Sequence, residues 1–149
     1  FDMQVNMDGL VYIDDYAHHP NEIAAAISSI RGKYPEYRYT AIFQPHLYTR
    51  TRDFAPEFAQ ALSMVDRLIL LDIYPARELP IPGVTSQIIF DDVTAPEKVL
   101  ISKEELLGYI DGTTLGDKEV FVTLGAGDID RLVGPLAQLL TEKHDKGNA

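Results

Sequence analysis

A chain of 149 residues that is 46% hydrophobic is the size of one domain with a substantial core, and its lack of cysteine excludes disulfide scaffolds, thiolate zinc sites and cysteine nucleophiles. A formal net charge of −10 disfavours binding to nucleic acid or to anionic membranes, so any anionic ligand must be held locally. The sequence shows neither a secretion signal nor an apolar run of bilayer-spanning length, and we expect a soluble, cytoplasmic protein.

The N-terminal segment predicts an antiparallel edge strand. Residues 3–6 alternate in polarity, and Asp8-Gly9 is a strong hairpin signal before the apolar strand at residues 10–13. The abrupt start of the sequence is typical of a cut interdomain linker. We therefore assign residues 1–9 to the end of such a linker and to the edge strand, within one domain that spans residues 1–149.

The rest of the chain alternates short apolar runs with helical periodicity, which predicts a mainly parallel sheet covered by helices on both faces. Predicted strands lie at residues 39–43, 68–71, 99–101 and 119–123, and predicted helices at about 20–31, 52–63, 86–91, 103–110 and 128–143. Pro135 should kink or restart the last helix, and residues 144–149 are expected to form a disordered tail. The pattern indicates a Rossmann-like α/β fold with about six strands, one of them an antiparallel edge strand.

Unusual residues follow four of the predicted strands. They lie at residues 14–19, 44–50, 72–78 and 125–128. Because ligands of open α/β sheets bind beyond the carboxyl ends of the parallel strands, these four loops could line one crevice.

The first loop combines a carboxylate, two imidazoles and a helix N-terminus, in Asp15, His18, His19 and Pro20. Such a turn could hold an anionic ligand that carries hydroxyl groups. Equally, Asp15 could accept hydrogen bonds from nearby backbone N–H groups while one histidine caps the helix and the other packs. The residues alone leave both interpretations open.

The second loop carries cationic donors in an acidic protein. Arg50 could bind a carboxylate or phosphate through two N–H groups, a contact worth roughly 1.5–3 kcal/mol when partly buried. Arg52 is expected to pair with Asp53, with Glu57 or with solvent instead.

The remaining loops give weaker signals. Gly125 and Gly127 flank Ala126 and would let the backbone approach a ligand closely, but they could also simply shape a turn. Tyr74 and Glu78 lie in a proline-rich segment and could gate the crevice, although exposed loop residues are commonly structural. Neither a phosphate-binding loop of the form G-x-x-x-x-G-K-[ST] nor a complete G-x-G-x-x-G follows any predicted strand.

Three motifs in order resemble the C-terminal domain of the Mur ligase family: Asp-Asp-Tyr-Ala-His-His-Pro at 14–20, Phe-Gln-Pro-His-Leu-Tyr-Thr-Arg-Thr at 43–51 and Gly-Ala-Gly-Asp at 125–128. The resemblance extends through residues 72–74 and 78–83. It implies a three-domain enzyme in which the missing N-terminal domain holds a uridine nucleotide and the missing central domain holds ATP and Mg²⁺. The branch it indicates joins L-alanine to UDP-N-acetylmuramate through an acyl phosphate, in peptidoglycan precursor synthesis. The fragment alone would need no cofactor and catalyse nothing.

The resemblance also implies roles for individual residues. Asp15 would reach the ribose of ATP, and a second group would position alanine and the reacting end of the sugar nucleotide. That group comprises Tyr16, His18, His46 and Arg50, together with Gly125 and Ala126; His19, Tyr74 and Glu78 are weaker candidates. Leu47 departs from the family pattern, since many relatives carry an arginine there, so the carboxylate clamp would rest on Arg50 alone or use a donor elsewhere.

Three alternatives remain at this point. The related ligase that recycles a murein tripeptide shares the first motif, although Gln44-Pro45-His46 favours the alanine branch. A stand-alone metal-dependent hydrolase would use His18, His19, His46 and Asp15, but adjacent histidines on a turn rarely bind one ion well. A non-enzymatic interaction module would show no ligand response in the crevice.

Overall fold

Six strands form one sheet in the computed structural model, which describes residues 1–147. They are β1 (Asp2–Met7), β2 (Leu10–Asp15), β3 (Arg38–Phe43), β4 (Arg67–Leu70), β5 (Glu97–Leu100) and β6 (Glu119–Leu124). Their order across the sheet is β1-β2-β6-β3-β4-β5. β1 pairs antiparallel with β2, and all the other pairs are parallel. The predicted mainly parallel sheet with one antiparallel edge strand is confirmed.

Helices cover both faces of the sheet and enclose two hydrophobic clusters. The helices are α1 (Pro20–Lys33), α2 (Tyr48–Leu62), α3 (Gln87–Phe90), α4 (Lys103–Asp111) and α5 (Val133–Gly147), with a 3-10 helix at Asp128–Leu132. One cluster packs under α1, α2 and α3, the other under α4 and α5. Successive strand residues face opposite clusters, as Ala41 and Ile42 do, and this two-sided burial explains why the central strands are continuously apolar.

Two helices differ from the prediction at their ends. α2 begins at Tyr48 rather than near residue 52, because a carboxylate from a distant loop caps its N-terminus. Residues 144–147, which were predicted to belong to a disordered tail, continue α5 instead. Lys143 Nζ donates to the Asp111 carbonyl at 2.9 Å and links this end of α5 to the end of α4. Residues 148 and 149 of the predicted tail lie outside the described residues.

Pro135 lies in the first turn of α5, after the 3-10 helix, so the last helix restarts there as predicted. Over the described range, no helix combines the length and apolar character that a bilayer crossing would need.

Candidate functional site

Four loops meet at the carboxyl edge of the sheet. They follow β2, β3, β4 and β6, whose parallel pairing aligns the ends of these strands. An isolated parallel β-bridge between His46 and Tyr74 joins the loops after β3 and β4. Leu47 N donates to the Tyr74 carbonyl at 2.9 Å, and Tyr74 N donates to the Pro45 carbonyl at 2.8 Å. The loops after β3 and β4 are therefore held together as a short two-stranded extension of the sheet.

The two aspartates at the end of β2 point to opposite faces of the sheet. Asp14 accepts from the Thr123 hydroxyl at 2.7 Å, and burial raises the pKa of its carboxyl group. Asp15 turns toward α1, where its Oδ1 accepts from Ala17 N–H at 2.9 Å. Asp15 thus accepts a hydrogen bond from a nearby backbone N–H group, one of the two roles that the sequence leaves open, and its Oδ2 lies 3.6 Å from the N-terminal ammonium of Phe1.

Glu22 organises the start of α1. Its Oε1 accepts from the backbone N–H groups of His18 and His19 at 3.2 and 3.1 Å, and these bonds lower the pKa of Glu22. His19 is the N-cap residue, while His18 Nδ1 lies 3.0 Å from the Tyr16 carbonyl. The structure therefore gives the histidine backbone a capping role and points His18 toward the second loop.

Four aromatic rings form a continuous row across three loops, and we call Tyr16, His18, His46 and Tyr74 the ring row. Edge contacts join Tyr16 to His18 at 5.4 Å and His18 to His46 at 6.2 Å between ring centroids. His46 stacks on Tyr74 at 5.7 Å with an interplanar angle of 15°. Tyr16 is 69% exposed, so the row runs from open surface into the crevice.

Arg50 lies against the middle of this row. Its Nη1 is 3.1 Å from His46 Nδ1, a contact in which the guanidinium donates and the imidazole accepts. Burial lowers the pKa of His46, and the charge of Arg50 and the proximity of His18 lower it further. Because a guanidinium can only donate, His46 Nδ1 must accept in this contact, which makes the imidazole neutral and places its proton on Nε2. Arg50 keeps most of its donors for a ligand.

The glycine-rich loop packs tightly against the same edge. Gly125 has φ +141°, and a Cβ at Gly127 would lie 2.6 Å from Gln44 Oε1 and 2.8 Å from Tyr74 Cγ. These positions exclude larger residues, and Ala126 lies between them, partly exposed. The loop therefore supports the Tyr74 ring from behind.

Gln44 and Lys103 join the site without having been predicted. Gln44 is buried. Its Nε2 donates to Asp128 Oδ1 at 2.7 Å, and its Oε1 accepts from Ile129 N–H at 3.0 Å. Lys103 forms an ion pair with Asp128. Burial alone would raise the pKa of Asp128, but the contacts with Lys103 and Gln44 outweigh burial and lower the pKa. A pocket of about 200 Å³ adjoins them. A polar residue directly after a buried strand could have indicated Gln44, whereas nothing in the sequence distinguishes Lys103.

Glu78 caps α2 from the proline-rich loop. Its Oε1 accepts from the N–H groups of Tyr48 at 2.5 Å and Thr49 at 3.1 Å, and its Oε2 accepts from the Thr49 hydroxyl at 2.5 Å. These bonds, that of the Thr49 hydroxyl foremost, lower the pKa of Glu78. Glu78 therefore holds the helix that carries Arg50.

The residues considered for a metal-dependent hydrolase do not come together as a single ligand set. Among residues 1–147, the group with ligand atoms close enough to share an ion is His18, His19 and Glu22, within 4.8 Å of one another. His46 and Asp15 are outside it. Glu22 Oε1 already accepts two backbone N–H groups, which favours its role as a helix cap.

Comparison with known proteins identifies related chains. A family model described as Mur ligase, glutamate ligase domain, matches residues 2–127. The UDP-N-acetylmuramate–L-alanine ligase of Parabacteroides distasonis is 57% identical over 143 residues, which cover 96% of this chain. The chain spans 30% of the length of that relative.

Solved structures share the fold. The UDP-N-acetylmuramate-alanine ligase of Thermotoga maritima has a TM-score of 0.70 and 24% identity, over 91% of this chain and 27% of that one. The murein peptide ligase of Psychrobacter arcticus has a TM-score of 0.72 and 16% identity, over 93% and 29% of the two chains. At these identities the likeness concerns the fold alone.

Proposed function

The chain belongs to the Mur ligase family, and from that premise we propose that it is the amino-acid-handling C-terminal domain of an ATP-dependent ligase that joins L-alanine to UDP-N-acetylmuramate. The observation that carries the proposal is the contact between Arg50 and His46 at the carboxyl edge of the sheet. It presents a fixed cation beside a neutral imidazole in a protein whose net charge is −10. Such a pair suits a small ligand with one carboxylate.

Arg50 is the donor for the carboxylate of alanine, and His46 fixes its orientation. The guanidinium offers N–H groups in a planar fork, one of which is accepted by His46 Nδ1, while the Nε2–H on the far side of the imidazole faces away from this contact. The clamp therefore rests on the Arg50 guanidinium, since Leu47 offers no side-chain donor. Tyr16 and His18 continue the ring row and orient the reacting end of the sugar nucleotide, and Gly125 and Ala126 allow close backbone approach.

The residues fit ATP at its ribose only. Asp15 Oδ1 accepts from Ala17 N–H, and its Oδ2, which lies 3.6 Å from the Phe1 ammonium, has lone pairs that can accept a ribose hydroxyl, whereas the chain has no phosphate-binding loop. The phosphates and Mg²⁺ would therefore be held by the central domain of a longer protein. When bound, ATP supplies the phosphoryl group that activates the lactyl carboxylate. This domain then holds the alanine amine near the activated carbon, which is catalysis by positioning.

The longer protein would contain an N-terminal domain for the uridine nucleotide and would act in the cytoplasm, where ATP is available. The chain on its own should then show no ATP-dependent ligation. Ligation of alanine by the purified 149-residue chain would contradict this division of labour.

Steady-state kinetics of the full-length ligase test the proposal. Arg50→Ala should raise the KM for L-alanine by roughly 10-fold to 100-fold, because it removes a charge-assisted contact with the substrate carboxylate worth roughly 1.5–3 kcal/mol, while the KM for ATP changes little. Arg52→Ala is the matched control, since Arg52 lies in the same helix but pairs with Asp53. An unchanged alanine KM in Arg50→Ala would remove Arg50 from the clamp. A wild-type enzyme that used a murein tripeptide and not alanine would favour the recycling ligase.

A further inference from the structure

Helix α2 depends on a distant residue for its N-terminal cap. α1 and α4 are capped by acids of their own first turns, Glu22 and Glu105. α2 has no acid in its first turn, and its N-cap residue, Leu47, makes no side-chain cap. The free N–H groups at the start of α2 are satisfied instead by Glu78, which is 30 residues away from Tyr48.

The turn that Glu78 holds is strained. Leu47 has φ +74° and ψ +139°, a region that favours glycine. Such a conformation persists only where its surroundings impose it. On one side Leu47 N–H is bound by the Tyr74 carbonyl, and on the other Tyr48 N–H is bound by Glu78. The loop after β4 therefore secures both sides of the turn.

The strained turn sets the geometry of the clamp. His46 precedes it and Arg50 follows it within the first turn of α2, and their side chains meet at 3.1 Å. Arg50 and Arg52 also place two cations near the positive end of the helix dipole, where cations are unfavourable. The ionised carboxylate of Glu78 offsets this charge at the point where the helix begins.

We propose that Glu78 is a positioning residue for the amino-acid clamp: it holds the start of α2 so that Arg50 keeps its contact with His46 and, with it, the orientation in which the guanidinium binds the substrate carboxylate. The part that concerns substrate rests on the proposed function. Glu78 does not contact the substrate, because both of its oxygens are engaged by α2, one with Tyr48 and Thr49 N–H groups and the other with the Thr49 hydroxyl.

Amide hydrogen exchange on the 149-residue chain tests the capping step without any substrate. In Glu78→Ala, the N–H groups of Tyr48 and Thr49 should exchange roughly tenfold faster or more, since they lose their acceptor, while amides of β3 and β6 keep their protection. Glu78→Gln keeps the shape of the side chain but not its charge and should give a smaller change. Unchanged exchange at both amides in Glu78→Ala would overturn the proposal.

A double-mutant cycle in the full-length ligase tests the positioning step. Glu78→Ala should raise the KM for L-alanine about tenfold with little change in the KM for ATP, because a displaced clamp acts on the amino acid. Thr49→Val removes a second part of the same contact, so the double variant should be no worse than Glu78→Ala alone. Glu105→Ala removes the equivalent cap of α4 and is the control for a general loss of stability.

The outcomes of the two experiments are distinct. Effects of Glu78→Ala and Thr49→Val that multiply would indicate that Glu78 acts on the alanine KM independently of its contact with Thr49, which contradicts the proposal. An alanine KM that stays constant in Glu78→Ala would contradict it as well. If the wild-type enzyme does not ligate alanine, the proposed function fails, while hydrogen exchange still decides whether Glu78 holds α2.

Discussion

Gly127 is a position where one added methyl group should disturb the whole site. A Cβ there would lie 2.6 Å from Gln44 Oε1 and 2.8 and 2.9 Å from two atoms of Tyr74, far inside normal contact. Gln44 is held by Asp128 and Ile129, and Tyr74 is stacked on His46, so neither neighbour can move freely. Because φ of Gly127 is −95°, the backbone itself accepts alanine and the cost is steric.

Overpacking of this kind costs about 1–3 kcal/mol, and we expect about 2 kcal/mol for Gly127→Ala. In a domain of this size that lowers Tm by roughly 4–8 °C, measurable by calorimetry or circular dichroism. Gly108→Ala is the control: it lies inside α4 with no atom within 4 Å of the added Cβ, and should stabilise the chain by about 0.5–1 kcal/mol. Equal Tm values for Gly127→Ala and the wild type would refute the steric reasoning.

Three further predictions concern charged groups. The pKa of His46 should lie below 6.5 and rise in Arg50→Gln, because burial lowers it first and the nearby cation second; an NMR titration in which the substitution has no effect would exclude the contact. Arg38→Ala should lower the free energy of unfolding, measured by urea denaturation, by about 3 kcal/mol, because Glu119 is 1% exposed and loses its ion pair. The additional substitution Glu119→Gln should restore part of this loss, because it removes the unpaired buried charge. The pKa of Glu22 is lower in the folded chain than its ordinary value of 4.5, so its stabilisation is present above that pH and is lost as the pH falls through the folded pKa. The stability deficit of Glu22→Gln at pH 7 should therefore vanish in acid, and a deficit independent of pH would contradict this.

Because both faces of the sheet are buried, the strands are continuously apolar and could be predicted from the sequence. Residues 68–71 were predicted as a central strand from their uniform apolarity, and β4 indeed lies between β3 and β5. The restart at Pro135 was predictable because proline lacks an N–H group and is tolerated only in the first turn of a helix. The start of α2 was not predictable from the sequence, because its cap comes from Glu78 and no neighbouring residue indicates it.

The site was predictable as a set of loops but not as a set of contacts. Asp15, His18, His46 and Arg50 follow strands whose carboxyl ends share one edge, and the motifs they belong to indicate the family. Gln44 was overlooked as a site residue. Its partner Asp128 is 84 residues away, a separation that no local pattern reports.

The sequence by itself determined the elements and the edge of the sheet at which the chemistry lies, because periodicity and burial act over a few neighbouring residues. Only the tertiary structure decided which side chains meet. The parallel register of β2, β6, β3 and β4 brings the four loops together, and packing then orders the ring row and sets Arg50 against His46. It also shows that Glu78, predicted as a gate, holds α2. Contacts between residues far apart in the chain depend on how whole elements pack, and that is a property of the fold.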